Sequence, residues 1–343
     1  MKKTIIMLSG IALFLIASMI FFSASVADAR KPLSPSDRAT GLVYDGLKFS
    51  EDGECNGLFE IDVPGSAQGE AHCTHGPDPI TFALARPSGV PTPTPAPAST
   101  AVGAILCDGD GVTGKRVQVL YARASTTPSR YSAYLAAFRQ WAADADAYFN
   151  ASAAQTGGSR RIRFVHDASC KPVVTEVVLS AWGTEAFGNM ISELRAQGFN
   201  RTDRKYMVFM DAGVYCGIAD IVNDDSSSKG NKSNTGPHYG RIDSGCWSGT
   251  IAAHELMHTL GGVQLSAPHS DGNFHCNDGY DNMCDHSGHT VQITCPDTAG
   301  DSLMDCNHDD YFSTNPPANS YLATHWNAAN NQFLIAPTTS TKK

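Results

Sequence analysis

Between residues 107 and 336 the apolar pattern switches between two periods. Val117-Gln-Val-Leu-Tyr-Ala122 alternates and predicts a strand. Tyr134, Phe138, Trp141, Ala145 and Tyr148 step by four, three, four and three residues, which predicts a long amphipathic helix with an aromatic face. Arg161–Val165 predicts a second strand, Ala186–Ala196 a helix and Tyr206–Met210 a buried strand. Residues 222–236 are polar and glycine-rich and predict a surface loop. His238–Ile242 predicts an edge strand, and Ile251–Leu260 an apolar helix. The rest is mostly loops and turns up to a final predicted helix, Ser320–Gln332. Sheet and helices first, then an irregular cysteine-bearing half, make the fold class α+β.

The pattern ahead of residue 107 is different. Lys2-Lys3, the apolar run Ile5–Phe22 and Ala27-Asp28-Ala29 predict a signal peptide over residues 1–29. The run is long for a signal, so an uncleaved anchor is the alternative. Residues 30–86 form a small region with two cysteines, to be read as a propeptide, a stapled appendage or a loose arm. Residues 87–106 open with alternating prolines and predict an extended linker. A catalytic-type domain over 107–336 and a polar tail over 337–343 complete the division.

Composition narrows the partners. The net charge of -9 has no long basic block, which argues against nucleic acid and lipid surfaces. Ten cysteines behind an export signal predict disulfides and a secreted protein. Proximity suggests Cys55–Cys73, Cys276–Cys284 and Cys295–Cys306, leaving Cys107–Cys170 and Cys216–Cys246.

The chemistry is concentrated in His254-Glu-Leu-Met-His-Thr-Leu-Gly-Gly262, an H-E-x-x-H run. Positions i and i+4 put His254 and His258 on one helix face, where they can share a cation. Glu255 lies ~100° round the turn and can bond a metal-bound water without ligating the metal. Ser248-Gly-Thr250 supplies an N-cap and Gly261-Gly262 a stop.

With Gly261 in place the run resembles the metzincin zinc proteases, H-E-x-x-H-x-x-G. The continuation Gly261–His269, Gly-Gly-Val-Gln-Leu-Ser-Ala-Pro-His, is similar to secreted zinc proteases of the actinobacterial type. The resemblance implies a twisted sheet with helices in an upper half, an active-site helix and an irregular disulfide-bonded lower half. It also implies Zn²⁺, a third ligand beyond the glycine and a methionine turn beneath the metal. The usual third-ligand position holds Gln264, a poor zinc ligand. His269 is therefore the expected third ligand across an insertion, with Asp271 and His275 as rivals. Met283 is the expected methionine turn, with Met304 as the later option. Tyr280 is a candidate transition-state donor, off the usual spacing. An edge strand at His238–Ile242 would pair with an extended substrate.

Two acidic clusters raise a Ca²⁺ reading, Asp108-Gly-Asp-Gly111 and Cys306-Asn-His-Asp-Asp310. The first lacks the bidentate glutamate of a calcium loop, so turn chemistry is favoured, and the second reads as a capped loop. The expected function is a monomeric, secreted zinc endopeptidase acting on protein or peptide substrates, with Glu255 as general base. The rival is a secreted binding protein whose zinc is structural and closed by a fourth protein ligand.

Overall fold

A computed structural model describes residues 44–66, 70–78, 103, 105–279, 281–284 and 303–337. The signal segment, the proline-rich run 87–100, Tyr280, Cys295 and the tail after residue 337 lie outside the described residues.

The N-terminal region folds as a small antiparallel sheet of β1 (Leu47–Phe49), β2 (Phe59–Ile61) and β3 (Cys73–Thr74). The Cys55–Cys73 disulfide staples it. It is no loose arm. Ile61 and Val63 enter a core shared with the main body, and Cys55, Leu58 and Cys73 pack with Ile221 and Phe274.

The main body is built on a five-stranded mixed sheet. Its order is β6 (Val174–Leu179), β4 (Arg116–Ala124), β7 (Arg204–Asp211), β9 (His238–Asp243) and β8 (Gly217–Ala219). β4 is parallel to β6 and β7, and β7 to β9; β8 runs antiparallel to β9, with Gly217 opposite Ile242. A two-stranded sheet of β5 (Arg161–Ile162) and β10 (Leu334–Ile335) ties down the C-terminal end.

Alternation along β4 divides the core. Val117, Val119 and Tyr121 join one cluster, Leu120 and Ala122 the other. Helices α1 (Tyr131–Gln155) and α3 (Gly249–Thr259) cover the first face, and α2 (Phe187–Ala196) the second. A sheet covered on both faces explains why Tyr206–Met210 is apolar without alternation. The buried seam of α1 is Phe138, Ala142, Ala145 and Phe149; Tyr134, Trp141 and Tyr148 pack at its margin, half-buried.

Two expected elements are corrected. His238–Ile242 is not an edge strand, because β9 is paired on both sides; the edge is β8. Ser320–Gln332 is not a helix. It holds one helical turn, Tyr321–Thr324, and a 3-10 turn, Ala328–Asn330. Asparagine side chains break it by competing for the backbone: Asn327 accepts from Ser313 and Ala329 N–H, and Asn331 from Phe333 N–H.

Cys276–Cys284, expected from proximity, and the two remaining pairs, Cys107–Cys170 and Cys216–Cys246, are also disulfides, and Cys306 is disulfide-bonded. No helix among the described residues is long and apolar enough to cross a membrane.

Candidate metal centre

Helix α3 is set by its ends. The Ser248 hydroxyl accepts the Ile251 N–H at 3.2 Å. Beyond the C-cap, Gly261 takes φ +86°, and the Trp326 indole, against which it packs, donates to the Leu260 carbonyl at 2.9 Å. His254, Glu255 and His258 are completely buried between these ends.

Two rings from outside α3 join its pair of histidines. His275 comes from the segment stapled by Cys276–Cys284, and His75 from the N-terminal region just past β3. The Nε2 atoms converge: His254 to His258 at 3.0 Å, His254 to His275 at 3.2 Å, and His75 to His258 at 2.9 Å. Asp78 completes the group, with Oδ2 at 3.3 Å from His254 Nε2 and Oδ1 at 3.4 Å from His275 Nε2.

This donor set fits a metal ion. The His254 Nδ1 faces the Asn282 carbonyl at 2.7 Å. A carbonyl can only accept, so Nδ1 carries the proton and Nε2 presents a lone pair. That lone pair faces two other imidazole nitrogens, and one shared proton cannot satisfy both contacts. A cation can. Tetrahedral Zn–N bonds of about 2.0–2.1 Å place ligand nitrogens roughly 3.3 Å apart, close to the separations found. Imidazoles with one carboxylate suit a first-row divalent ion.

Glu255 stands beside these rings without joining them. Its position depends on two glycines of the neighbouring strands. A Cβ at Gly217 would collide with Glu255 Oε1, and one at Gly240 would lie 3.0 Å from the Glu255 Cβ. Neither carboxylate oxygen takes a bond from an N–H group, and the side chain's polar partner is the Asp78 carboxyl. Burial, and then the charge of Asp78, push the Glu255 carboxyl well above the usual range.

The expected third ligand is corrected. His269 is not brought to the His254–His258 pair; His275, its rival, is. The His269 N–H binds Asp310 Oδ1 at 2.8 Å, and its Nδ1 lies 3.2 Å from Asp310, 3.5 Å from Asp278 and 3.8 Å from Asp309. Burial opposes its charge, but these three carboxylates raise its pKa. This second group could also hold a metal ion. Asp271 caps its own loop, accepting from Asn273 and His275 N–H. Gln264 turns away and donates to the Val222 and Gly261 carbonyls.

Met283 is fully buried and follows the residue whose carbonyl orients His254. Met304 packs near Tyr311, with Sδ 3.9 Å from its hydroxyl. The Tyr280 role falls outside the described residues. At Asp108-Gly-Asp-Gly111 the calcium reading gives way to turn chemistry. Arg116 and Arg163 take Asp108, and Asp110 accepts from Val112 and Thr113 N–H. In Cys306–Asp310 the preceding Asp305 caps the loop, accepting from Asp309, Asp310 and Tyr311 N–H.

His75, Asp78 and the glycines opposite Glu255 are absent from the sequence reading. The only hint of the first two is the pair His72 and His75 around Cys73, and no spacing rule links them to residue 254.

No protein-family model matches the chain, and no curated protein does. A solved structure described as a chaperone–substrate complex is similar over 44% of this chain and 24% of that chain, at 13% identity and TM-score 0.21. A likeness of that size carries no argument about fold or partners.

Proposed function

We propose that the chain is an exported, zinc-dependent peptidase of metzincin type, in which His254, His258 and His275 hold the metal. The observation that carries this reading is Glu255. A buried carboxyl beside these imidazoles, with only another carboxyl, that of Asp78, for a polar partner, has a cost that a purely structural site would not need. Zinc bound there would polarise a peptide carbonyl and lower the pKa of a water. Glu255 would take the proton of that water on a carboxylate oxygen and pass it to the leaving amine nitrogen. Met283 would be the methionine beneath the metal. Formed disulfides support an oxidising compartment.

A second reading has an observation of its own. His75 and Asp78 bring the donors to five, and all five residues are buried. A site closed by protein ligands is the mark of a structural metal, as in a non-catalytic binding protein. Casein hydrolysis by the purified chain, with and without a chelator and beside Glu255→Ala, tests the peptidase. Hydrolysis that the chelator and Glu255→Ala both abolish, with metal retained in the variant, supports it. Hydrolysis that survives Glu255→Ala overturns the mechanism.

A further inference from the structure

The irregular half carries a second cluster of donors, which has no part in the proposed hydrolysis. We propose that His269, Asp278, Asp309 and Asp310 bind a second divalent cation, more oxygen-preferring than zinc, which clamps the loop after residue 305 to the hairpin that carries His275. Mn²⁺ is the ion that this donor set fits best. The inference does not depend on the peptidase reading.

The first observation is a mismatch between acceptors and protons. His269 Nδ1 faces three carboxylate oxygens: Asp310 Oδ2 at 3.2 Å, Asp278 Oδ2 at 3.5 Å and Asp309 Oδ1 at 3.8 Å. One ring nitrogen carries at most one proton and can give it to one of them. Among the described residues no lysine or arginine pairs with any of the three; His269 is their ion-pair partner. A protonated His269 cancels one of three negative charges. The two that remain are what a divalent cation cancels.

The second observation is Asp278 itself. Its side chain is 1% exposed. Among the described residues its Oδ2 takes no hydrogen bond from an N–H group; opposite it stand the Asp310 carboxyl and the His269 ring. Asp309 Oδ1 is also a buried atom that takes no hydrogen bond. A buried carboxylate oxygen left in this way is costly unless a cation meets it. Burial, and then the Asp310 carboxyl, push Asp278 up to about 7, and burial raises Asp310 as well. A bound cation reverses that preference by favouring the ionised forms.

The third observation is the shape of the cluster. The four ligand atoms all lie within 4.8 Å of one another. An octahedral ion with bonds of about 2.1–2.5 Å places neighbouring ligands roughly 3.0–3.5 Å apart and opposite ones roughly 4.2–5.0 Å apart. The floor of the site is the two buried carboxyls of Asp278 and Asp310, while His269 and Asp309 are 34% and 41% exposed. That open side gives the ion a route in and room for the waters that oxygen-preferring cations keep. Three oxygens against one nitrogen favour a hard ion, and the imidazole favours manganese over calcium.

The two segments are already set against each other. The Asn277 N–H donates to the His269 carbonyl at 2.8 Å, and Ser270 pairs with Cys276, so His269 and Asp278 sit at the open end of a hairpin. On the other side Asp305 Oδ1 accepts the Asp309 and Asp310 N–H groups at 3.1 and 3.2 Å. A cation held by all four side chains joins the two. His275 lies within the hairpin, so the clamp steadies the stretch from which the proposed third zinc ligand enters.

The test titrates the full chain, loaded with one equivalent of zinc, with Mn²⁺, and follows the free ion by electron paramagnetic resonance. Zinc content is measured in parallel. Wild type should take up one Mn²⁺ without releasing zinc, and a pulsed experiment should show coupling to a directly bonded nitrogen. Groups that only support a ligand typically change metal affinity 10–100-fold, so loss of a ligand in Asp278→Asn or Asp309→Asn should weaken Mn²⁺ binding by at least ~10-fold. His269→Gln should lose the nitrogen coupling. Zinc retained by each variant shows that the chain is folded. Binding should persist in His254→Ala, which disables the first centre, so the two sites are judged separately. No Mn²⁺ uptake by wild type overturns the proposal. So does uptake that displaces zinc, or that is equal in wild type, Asp278→Asn and Asp309→Asn. Displacement of Mn²⁺ by equimolar calcium, or nitrogen coupling that survives His269→Gln, overturns the part given to His269.

Discussion

His254 donates its Nδ1–H to the Asn282 carbonyl at 2.7 Å, which ties helix α3 to a segment 28 residues further on. The bond fixes the ring's tautomer and aims Nε2 at the other imidazoles. It also makes the segment ending in Cys284 part of the centre. His275 enters from the same stapled stretch, so two of the three proposed ligands depend on how residues 275–284 are folded.

The third ligand separates the structure from the usual reading of this motif. His275→Ala should lower zinc affinity steeply, and His269→Ala should leave it near wild type. Zinc stoichiometry after dialysis against a weak chelator measures both. Zinc lost from His269→Ala and kept by His275→Ala would reverse the assignment made from the Nε2 distances.

Glu255→Gln should keep the metal and lose hydrolysis by at least ~10²-fold relative to wild type. The amide fills the same space against Gly217 and Gly240 but cannot take a proton. An active Glu255→Gln enzyme would show that the proton goes elsewhere.

How much of this was legible depends on the range of each interaction. Period-2 and period-3.6 patterns are local, and they located β4, α1, α2 and β7 to within a few residues. The Ser248 cap and the Gly261 stop are local too. The 320–332 segment failed because Asn327 and Asn331 bond to backbone a few residues away, which composition alone does not reveal. The edge strand was misassigned because β8 is only three residues long and hardly registers as a pattern. His269 was preferred as the first imidazole after the glycine turn, yet Asp278, Asp309 and Asp310 draw it into a different cluster. His75 meets His258 across 183 residues of sequence, a contact that only the folded chain reveals.

The Cys276–Cys284 bridge should matter more to the metal than its short loop suggests. It closes a loop between positions eight apart, with Cα atoms at 4.4 Å, immediately beside His275. Supporting groups of this kind typically change metal affinity 10–100-fold. Cys276→Ser with Cys284→Ser should therefore weaken zinc binding by about tenfold or more in a competition titration with a chelator. Unchanged affinity would mean that hydrogen bonds such as Cys276 N–H to the Met283 carbonyl suffice to place His275.

Asp281 gives a pH dependence whose sign can be stated. Its side chain is buried and accepts from Tyr311 Oη at 2.5 Å, Met283 N–H at 2.7 Å and Cys306 N–H at 2.7 Å. Burial outweighs these donors and pushes its carboxyl up to about 7. An unfolded aspartate titrates near 3.9. Between those values the native state holds a proton that the unfolded state has released. The group's contribution to stability is therefore complete below about pH 4 and falls as pH rises towards 7, by on the order of 4 kcal/mol at most. Asp281→Asn removes the titration while keeping one acceptor oxygen, so its own offset does not vary with pH. The stability of wild type minus that of Asp281→Asn should decline from pH 5 to about pH 7 and level off above it, in denaturant unfolding with zinc in excess. A difference that stays flat, or rises with pH, would show that the hydrogen bonds hold Asp281 ionised and that burial does not govern it.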